Sequence, residues 1–381
     1  MPKPKSRPLR IACVYWKTSS VGGIATHLNS LRSAAIARGD TFDILQSTDW
    51  KTKKPSKFDE RQWVRGGDTN IWIDGEFSNH PTQIQDSIKF LRKNYDAIHF
   101  GFLCPHPTKA YPDPHFLPIF TDVELPKTGT ITDGYWDSYA EWGELCLPHL
   151  GYVTTSGMFY ADELIQRGIP VDPLGMPFVP DPRRQYASKS KQPLIVWPNQ
   201  FKNIKGINHF LEAIPSLPEE VKVELYSNGI RYYQVRTEDL WLNAVGDDRF
   251  QSHNGTGRAT FYGNVDLPKI QRAFQRAHFT VNLQGISTRK AAYKKGSYNN
   301  TELEALYYGA VPILFTAAAN TDLPEESFRT VSTGEEIPEA VARLIKDGTA
   351  LDTQRRDRAR DWVMSNYSAD TQYMKLRAHW L

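Results

Sequence analysis

LRIACVYWKTSSVGGIATHLNSLRSAAIARGDTFDILQ, residues 9–46, decides the fold. Leu9–Trp16 is an apolar, β-branched run broken only by Arg10, which predicts a strand buried on both faces. Ser19–Gly23 reads as a glycine-containing turn. Ile24, Leu28, Leu31 and Ala35 then fall on one helical stripe that Gly39 closes, and Phe42–Gln46 reads as the next strand. Buried strand, glycine turn, amphipathic helix and strand form the unit of a parallel sheet covered by helices.

The same rhythm continues outward. Further strands are predicted at Asn70–Ile73, Ala97–Phe102, Gly129–Thr132 and Tyr152–Thr155. Segment 171–193 (VDPLGMPFVPDPRRQYASKSKQP) carries five prolines among polar and basic residues and reads as a linker. Beyond it the pattern restarts with strands at Leu194–Trp197, Val221–Tyr226, Thr260–Tyr262, Phe279–Leu283 and Val311–Phe315. Helices are predicted at Ile207–Leu217, around Leu267–Ala277, from Glu302, and through Thr353–Leu381. A chain of 381 residues has room for two cores. The reading is therefore α/β, with two Rossmann-like doubly wound domains at 1–180 and 190–360 and a C-terminal helix at 361–381. Two such halves joined by a hinge place a ligand in a cleft, at the carboxyl ends of strands.

Composition narrows the function classes. The chain is 40% hydrophobic, 12% aromatic and 23% charged, with a net charge of +3. That balance neither demands nor forbids nucleic acid, so charge is read locally. No window reaches the length of a membrane span, and MPKPKSRPLR lacks the apolar core of a signal peptide, so cytoplasmic residence is expected. Cys13, Cys104 and Cys146 are too scattered for a zinc knuckle or a disulfide framework and read as reduced thiols.

Three motifs carry chemistry. In SSVGGIATHL (19–28), Gly22 and Gly23 let backbone approach a ligand at a helix N-terminus; the plain alternative is a tight turn. Neither GxGxxG nor GxxxxGK[ST] occurs, which argues against ATP hydrolysis. In WPNQFKNIKGINHFLEAI (197–214), Lys205-Gly206 precedes an amphipathic helix, and a lysine there suits a diphosphate held by a point charge. Lys202 is a second candidate, and a solvated loop lysine is the alternative for both. In SYNNTELEALYYGAVPIL (297–314), a helix starts at Asn300 or Thr301 and ends at Gly309. Its free N-terminus can bind phosphate while Glu304, one turn in, reaches ribose hydroxyls. Thr301 and Glu304 also fit a capping box, a purely structural role.

Gly23 after the first strand, Lys205-Gly206 opening the second half and TELEALYYGAVPIL together resemble the retaining family-four glycosyltransferases of GT-B architecture, whose two Rossmann-like domains face a central cleft. The likeness runs through both halves in order, with the last helix crossing back to the first domain, which would take the acceptor while the second takes the donor. The basic and tyrosine-bearing stretch Arg289–Tyr298 before NNTELEALYYGAVPILF resembles the branch that glucosylates 5-hydroxymethylcytosine in bacteriophage DNA. The resemblance implies a UDP-sugar donor, with glucose expected and arabinose the alternative, and double-stranded DNA bearing a hydroxymethylated pyrimidine as partner. Residence would then be the host cytoplasm.

Carried over by position, Lys205 neutralises the donor diphosphate and Glu304 holds the ribose. The amides of Gly22, Gly23, Asn300 and Thr301 surround the phosphates, and Asp133 in GTITDGYW contacts the acceptor hydroxyl or the reacting sugar. An Asp-Gly turn is the alternative for Asp133. Two positions depart from the family: Gln200 stands where an arginine is usual, and Gly296 replaces the first of two glutamates. Lys202, Arg289 or Lys294 could supply the missing charge, and the sugar is left open.

The implied chemistry is metal-independent, with no cofactor beyond the co-substrate, and neither a convincing Asp-x-Asp pair nor HExxH is present. A flipped base needs phosphate-contacting cations beside it; Lys53, Lys54, Arg289, Lys290, Lys294 and Lys295 are the candidates, each with a solvated surface as alternative. His99, His106, His115 and His149 read as loop or core histidines. Two other functions fit the pattern: a bacterial glycan or glycolipid transferase, and a non-catalytic module that binds nucleotide-sugar or DNA.

Overall fold

The computed structural model describes residues 7–16, 22–48, 62–66, 69–73, 75–78, 84–103, 117–131, 145–155, 158–166, 168, 170–175, 177–179, 188–199, 205–226, 258–263, 265, 267–286, 300–316 and 323–381. Two compact units emerge: Met1–Val179 with Ser368–Leu381, and Pro180–Tyr367.

The first unit contains β1 (Arg10–Trp16), α1 (Gly22–Ala37), β2 (Thr41–Thr48), β3 (Gln62–Gly66), β4 (Thr69–Ile73), β5 (Gly75–Ser78) and α2 (Ile84–Asn94). It continues with β6 (Ala97–Leu103), α3 (Leu117–Thr121), β7 (Lys127–Ile131), β8 (Tyr152–Thr155) and α4 (Met158–Gln166). Its sheet has the order β5-β2-β1-β6-β7-β8, parallel throughout, while β3 and β4 pair antiparallel on their own.

The second unit contains β9 (Leu194–Trp197), α5 (Ile207–Ala213), β10 (Lys222–Tyr226), β11 (Ala259–Gly263), α6 (Leu267–Arg276) and β12 (Phe279–Asn282). After these come α7 (Asn300–Tyr307), β13 (Val311–Phe315), β14 (Arg329–Val331), α8 (Ile337–Lys346) and α9 (Thr353–Tyr367). Its sheet runs β11-β10-β9-β12-β13-β14, again parallel. The final helix, α10 (Ala369–Ala378), belongs to the first unit. Both sheets thus share the doubly wound order 3-2-1-4-5-6. The α/β architecture that the sequence rhythm predicts is present in both halves.

Burial explains why β1 reads as a continuous apolar run. Ile11 and Cys13 pack with Leu28, Leu31 and Ala35 of α1 and with Tyr373 and Leu376 of α10, while Ala12 and Val14 pack with Ile88 and Leu91 of α2. In the second unit Trp197 stacks on Phe210 at 5.0 Å between centroids, inside one core shared by β9–β13 and α5. Cys13 and Cys146 are buried, at 0% and 1% exposure. Among the described residues no helix is long and apolar enough to cross a membrane.

Some boundaries differ from the sequence reading. The helix expected over 207–217 ends at Ala213 and continues as a 3-10 turn, because Pro215 has no N–H for the ladder and its ring crowds the preceding carbonyl. The expected linker begins later than 171. Asp172 bridges Thr154, Gly175 N–H donates to Thr155 O at 3.1 Å, and Phe178 bridges Ser368. The helical stretch after Thr353 is two helices, broken where the Ser368 side chain caps α10 by accepting from Thr371 N–H at 3.1 Å.

Candidate functional site

In the second unit the chain leaves β9 towards β10 on one side, and resumes at β12 on the other. The carboxyl ends of β9 and β12 therefore frame the crevice where successive loops diverge, the place where this sheet order accepts ligands. Asn199, two residues past β9 and 7% exposed, is fixed there: Trp197 Nε1 donates to its carbonyl at 3.2 Å, and its Nδ2 donates to Val281 O at 3.5 Å.

Lys205 follows on the same loop, half-buried, and its Nζ donates to Gln284 Oε1 at 2.5 Å. Gly206 makes this geometry possible. It caps α5 at φ +76°, and a Cβ there would lie 2.4 Å from Leu283 Cβ and 2.8 Å from Leu283 O. Only glycine combines a left-handed backbone with so close an approach.

The first turn of α7 closes the other wall. Thr301 Oγ1 donates to Asn199 Oδ1 at 3.3 Å, which ties the helix to the β9 loop. Glu302, 3% exposed, accepts from Asn282 Nδ2 at 2.6 Å, which ties it to the end of β12. Asn282 Oδ1 in turn accepts from Gln284 N–H at 3.2 Å. The first-turn N–H groups of α7 have no partner within their own helix, and the helix dipole adds to them a partial positive charge. Glu304 is partly accessible, yet the protein crowds its carboxyl enough that desolvation raises its pKa to about 8. An ammonium and a helix N-terminus joined by side-chain amides suit an anion, and a largely protonated carboxyl can donate to or accept from hydroxyls.

In the first unit Gly22 opens α1 just beyond the end of β1. Behind it lie two buried histidines. Desolvation lowers the pKa of His27 to about 4 and, with His27 nearby, that of His99 to about 3. His99 Nδ1 sits 2.9 Å from Thr128 Oγ1 and Trp380 Nε1 donates to the same hydroxyl at 3.1 Å, so His99 is a core residue. His149 is exposed in a 3-10 turn.

Of the residues singled out in the sequence, Lys205, Asn300, Thr301 and Glu304 lie around or beside the β9–β12 crevice, and Gly22 and Gly23 form the first turn of α1. Thr301 stands inside α7 instead of capping it, so the capping-box reading of Thr301 and Glu304 is replaced by the Asn199 contact. Asp133, Lys202, Gln200, Gly296, Lys53, Lys54, Arg289, Lys290, Lys294, Lys295, His106, His115 and Cys104 lie outside the described residues. Asn199, Asn282 and Gln284 are absent from the sequence reading, where Glu302 enters only as part of the helix start. The signal that could have found them is polarity where a buried strand ends, as in FTVNLQG, residues 279–285.

No protein-family model matches the chain, and no curated protein matches it. Solved structures do. HepE of Anabaena in complex with UDP and glucose matches with a TM-score of 0.66 at 14% identity, over 98% of this chain and 100% of that one. An α-glucosyltransferase in complex with UDP and a 13-mer DNA containing an HMU base matches at 0.67 and 11%, over 98% and 100%. The lipopolysaccharide outer core galactosyltransferase WaaB, in its apo form, matches at 0.60 and 11%, over 97% and 99%. At such identities the likeness establishes the fold, which is that of the GT-B glycosyltransferases.

Proposed function

We propose that the chain is a retaining glycosyltransferase that takes a sugar, glucose in the first instance, from a UDP-sugar and transfers it to a hydroxymethylpyrimidine of DNA. The observation that carries the donor half is the β9–β12 crevice, where hydrogen bonds through Gln284, Asn282 and Glu302 link Lys205 to the first turn of α7. The fold it shares with chains solved with UDP and glucose, or with UDP and DNA, supports the same reading.

In this proposal Lys205 and the α7 amides of Asn300 and Thr301 hold the diphosphate, with Lys202 and the α1 turn at Gly22 and Gly23 as further contacts. Glu304 holds the ribose. The bond from the anomeric carbon to the diphosphate oxygen breaks with oxocarbenium character, and the positive groups stabilise the charge gathering on the departing oxygen. The acceptor oxygen bonds to the same face of the anomeric carbon, and its proton passes to the departing phosphate oxygen. Asp133 orients the acceptor hydroxyl or the reacting sugar.

The DNA acceptor rests on the sequence likeness around Arg289–Phe315 and on the α-glucosyltransferase solved with DNA. A glycan acceptor is the second reading, favoured by the fold shared with a lipopolysaccharide galactosyltransferase. Incubation with labelled UDP-glucose and hydroxymethylated DNA, plain DNA or lipopolysaccharide separates the two. Label is expected on hydroxymethylated DNA alone, falling on the order of 100-fold in Lys205→Ala. Label on lipopolysaccharide alone would transfer the proposal to the glycan acceptor. UDP binding with no transfer to any acceptor would indicate a non-catalytic module.

A further inference from the structure

Gln284 lies two residues beyond β12 with its side chain against the candidate phosphate-binding lysine. Its Oε1 accepts from Lys205 Nζ at 2.5 Å, and its own N–H donates to Asn282 Oδ1 at 3.2 Å. Asn282, 2% exposed, donates from Nδ2 to the buried Glu302 at 2.6 Å. Three successive links thus run from a flexible ammonium to the first turn of α7. We propose that Gln284 is a positioning residue for Lys205, and that its neutrality is what leaves the ammonium able to hold a diphosphate. The inference rests on the donor reading above.

The physical case has two parts. A lysine side chain has many rotamers, and fixing it before the ligand arrives removes part of the ordering cost of binding. A carboxylate could fix it equally well, but would also cancel its charge at contact distance and repel an incoming phosphate. An amide oxygen accepts the hydrogen bond without doing so. Asn282 is the matching device behind it. Its amide satisfies the buried Glu302 carboxylate on one side and holds the Gln284 backbone on the other, so the loop and the helix keep one register.

Two near-isosteric variants separate positioning from mere packing. Gln284→Met keeps the volume and removes the acceptor; Gln284→Glu keeps the acceptor and adds a charge. UDP affinity of the full chain is measured by calorimetry, with uridine as the phosphate-free control and thermal melting as the check on folding. Gln284→Met is expected to weaken UDP binding about five-fold. Gln284→Glu is expected to weaken it at least ten-fold, and both should leave uridine binding and the melting temperature unchanged. Gln284→Glu binding UDP as tightly as the unmodified chain would overturn the proposal, and so would a fall in melting temperature in Gln284→Met that is absent from Gln284→Glu together with a return of UDP affinity. Lys205→Ala is run in parallel: unchanged UDP affinity there means that the donor reading itself has failed, and the inference with it. Loss in Lys205→Ala without loss in either Gln284 variant overturns the inference alone.

Discussion

His27 sits in the second turn of α1, 3% exposed, and neither ring nitrogen has a hydrogen-bond partner among the described residues. Such a group stays neutral in the folded chain, its pKa lowered to about 4, and His99 behind it is lowered to about 3. Unfolded histidine takes up its proton near pH 6.5. The unfolded chain therefore binds protons first as pH falls. The contribution of this pair is fully present above about pH 6.5 and is lost progressively towards about pH 3. Glu304 acts in the opposite sense. The folded chain keeps its proton up to about pH 8 where the unfolded chain releases it near 4.5, so its contribution falls as pH rises through that window. Urea unfolding as a function of pH checks both. His27→Leu is expected to flatten the acid limb and to stabilise the chain by roughly 1 kcal/mol at pH 7, since a buried orphan ring is removed. Glu304→Gln should flatten the decline between pH 6.5 and 8. Unaltered pH profiles in both variants would contradict the burial assigned to these side chains.

The elements differ in how clearly the sequence announces them. β1, α1 and β9 were legible because burial on both faces or one helical stripe leaves an apolar period that nothing else produces. β14 (RTV, residues 329–331) and β5 (GEFS, residues 75–78) are edge strands of three and four residues, too short to show a period, and their place comes from pairing with β13 and β2. Ser368 ends α9 by an N-cap bond that looks like any serine inside a polar helix until the next element is known. Within the site, Lys205 and Gly206 were legible as a motif, whereas the role of Asn282 and Gln284 depends on a sheet order that brings β12 beside β9. Gly206 belongs to this scale because it sets where α5 begins. Gly206→Ala adds a Cβ 2.4 Å from Leu283 Cβ at a left-handed φ. The strain and the overpacking together are expected to cost about 3 kcal/mol. Chemical denaturation measures this, and a loss below about 0.5 kcal/mol, the range of an ordinary surface substitution, would mean that the loop is not held as described.

At the scale of the whole molecule the same strand order is built twice, each time on its own core, and the chain returns its last helix to the first unit. That return is anchored inside the first unit by Asp40. It accepts from Arg377 Nε at 2.6 Å, Tyr373 Oη at 2.7 Å and Leu9 N–H at 2.8 Å. Burial alone would raise the Asp40 pKa, but these hydrogen bonds, led by that of Arg377, outweigh it and hold the carboxyl ionised. The ion pair is nearly sealed from solvent, with side chains 7% and 0% exposed, so it fixes α10 against the turn between α1 and β2 more through the cost of leaving either charge alone than through its own strength. The second unit holds the candidate anion site around Lys205 and the first turn of α7. Calorimetric titration of UDP into the unmodified chain and into Lys205→Ala is the direct test. Saturable one-to-one binding, weakened at least ten-fold by the substitution while the melting temperature holds, is the predicted result. UDP binding that is absent from the unmodified chain, or indifferent to Lys205, would contradict it.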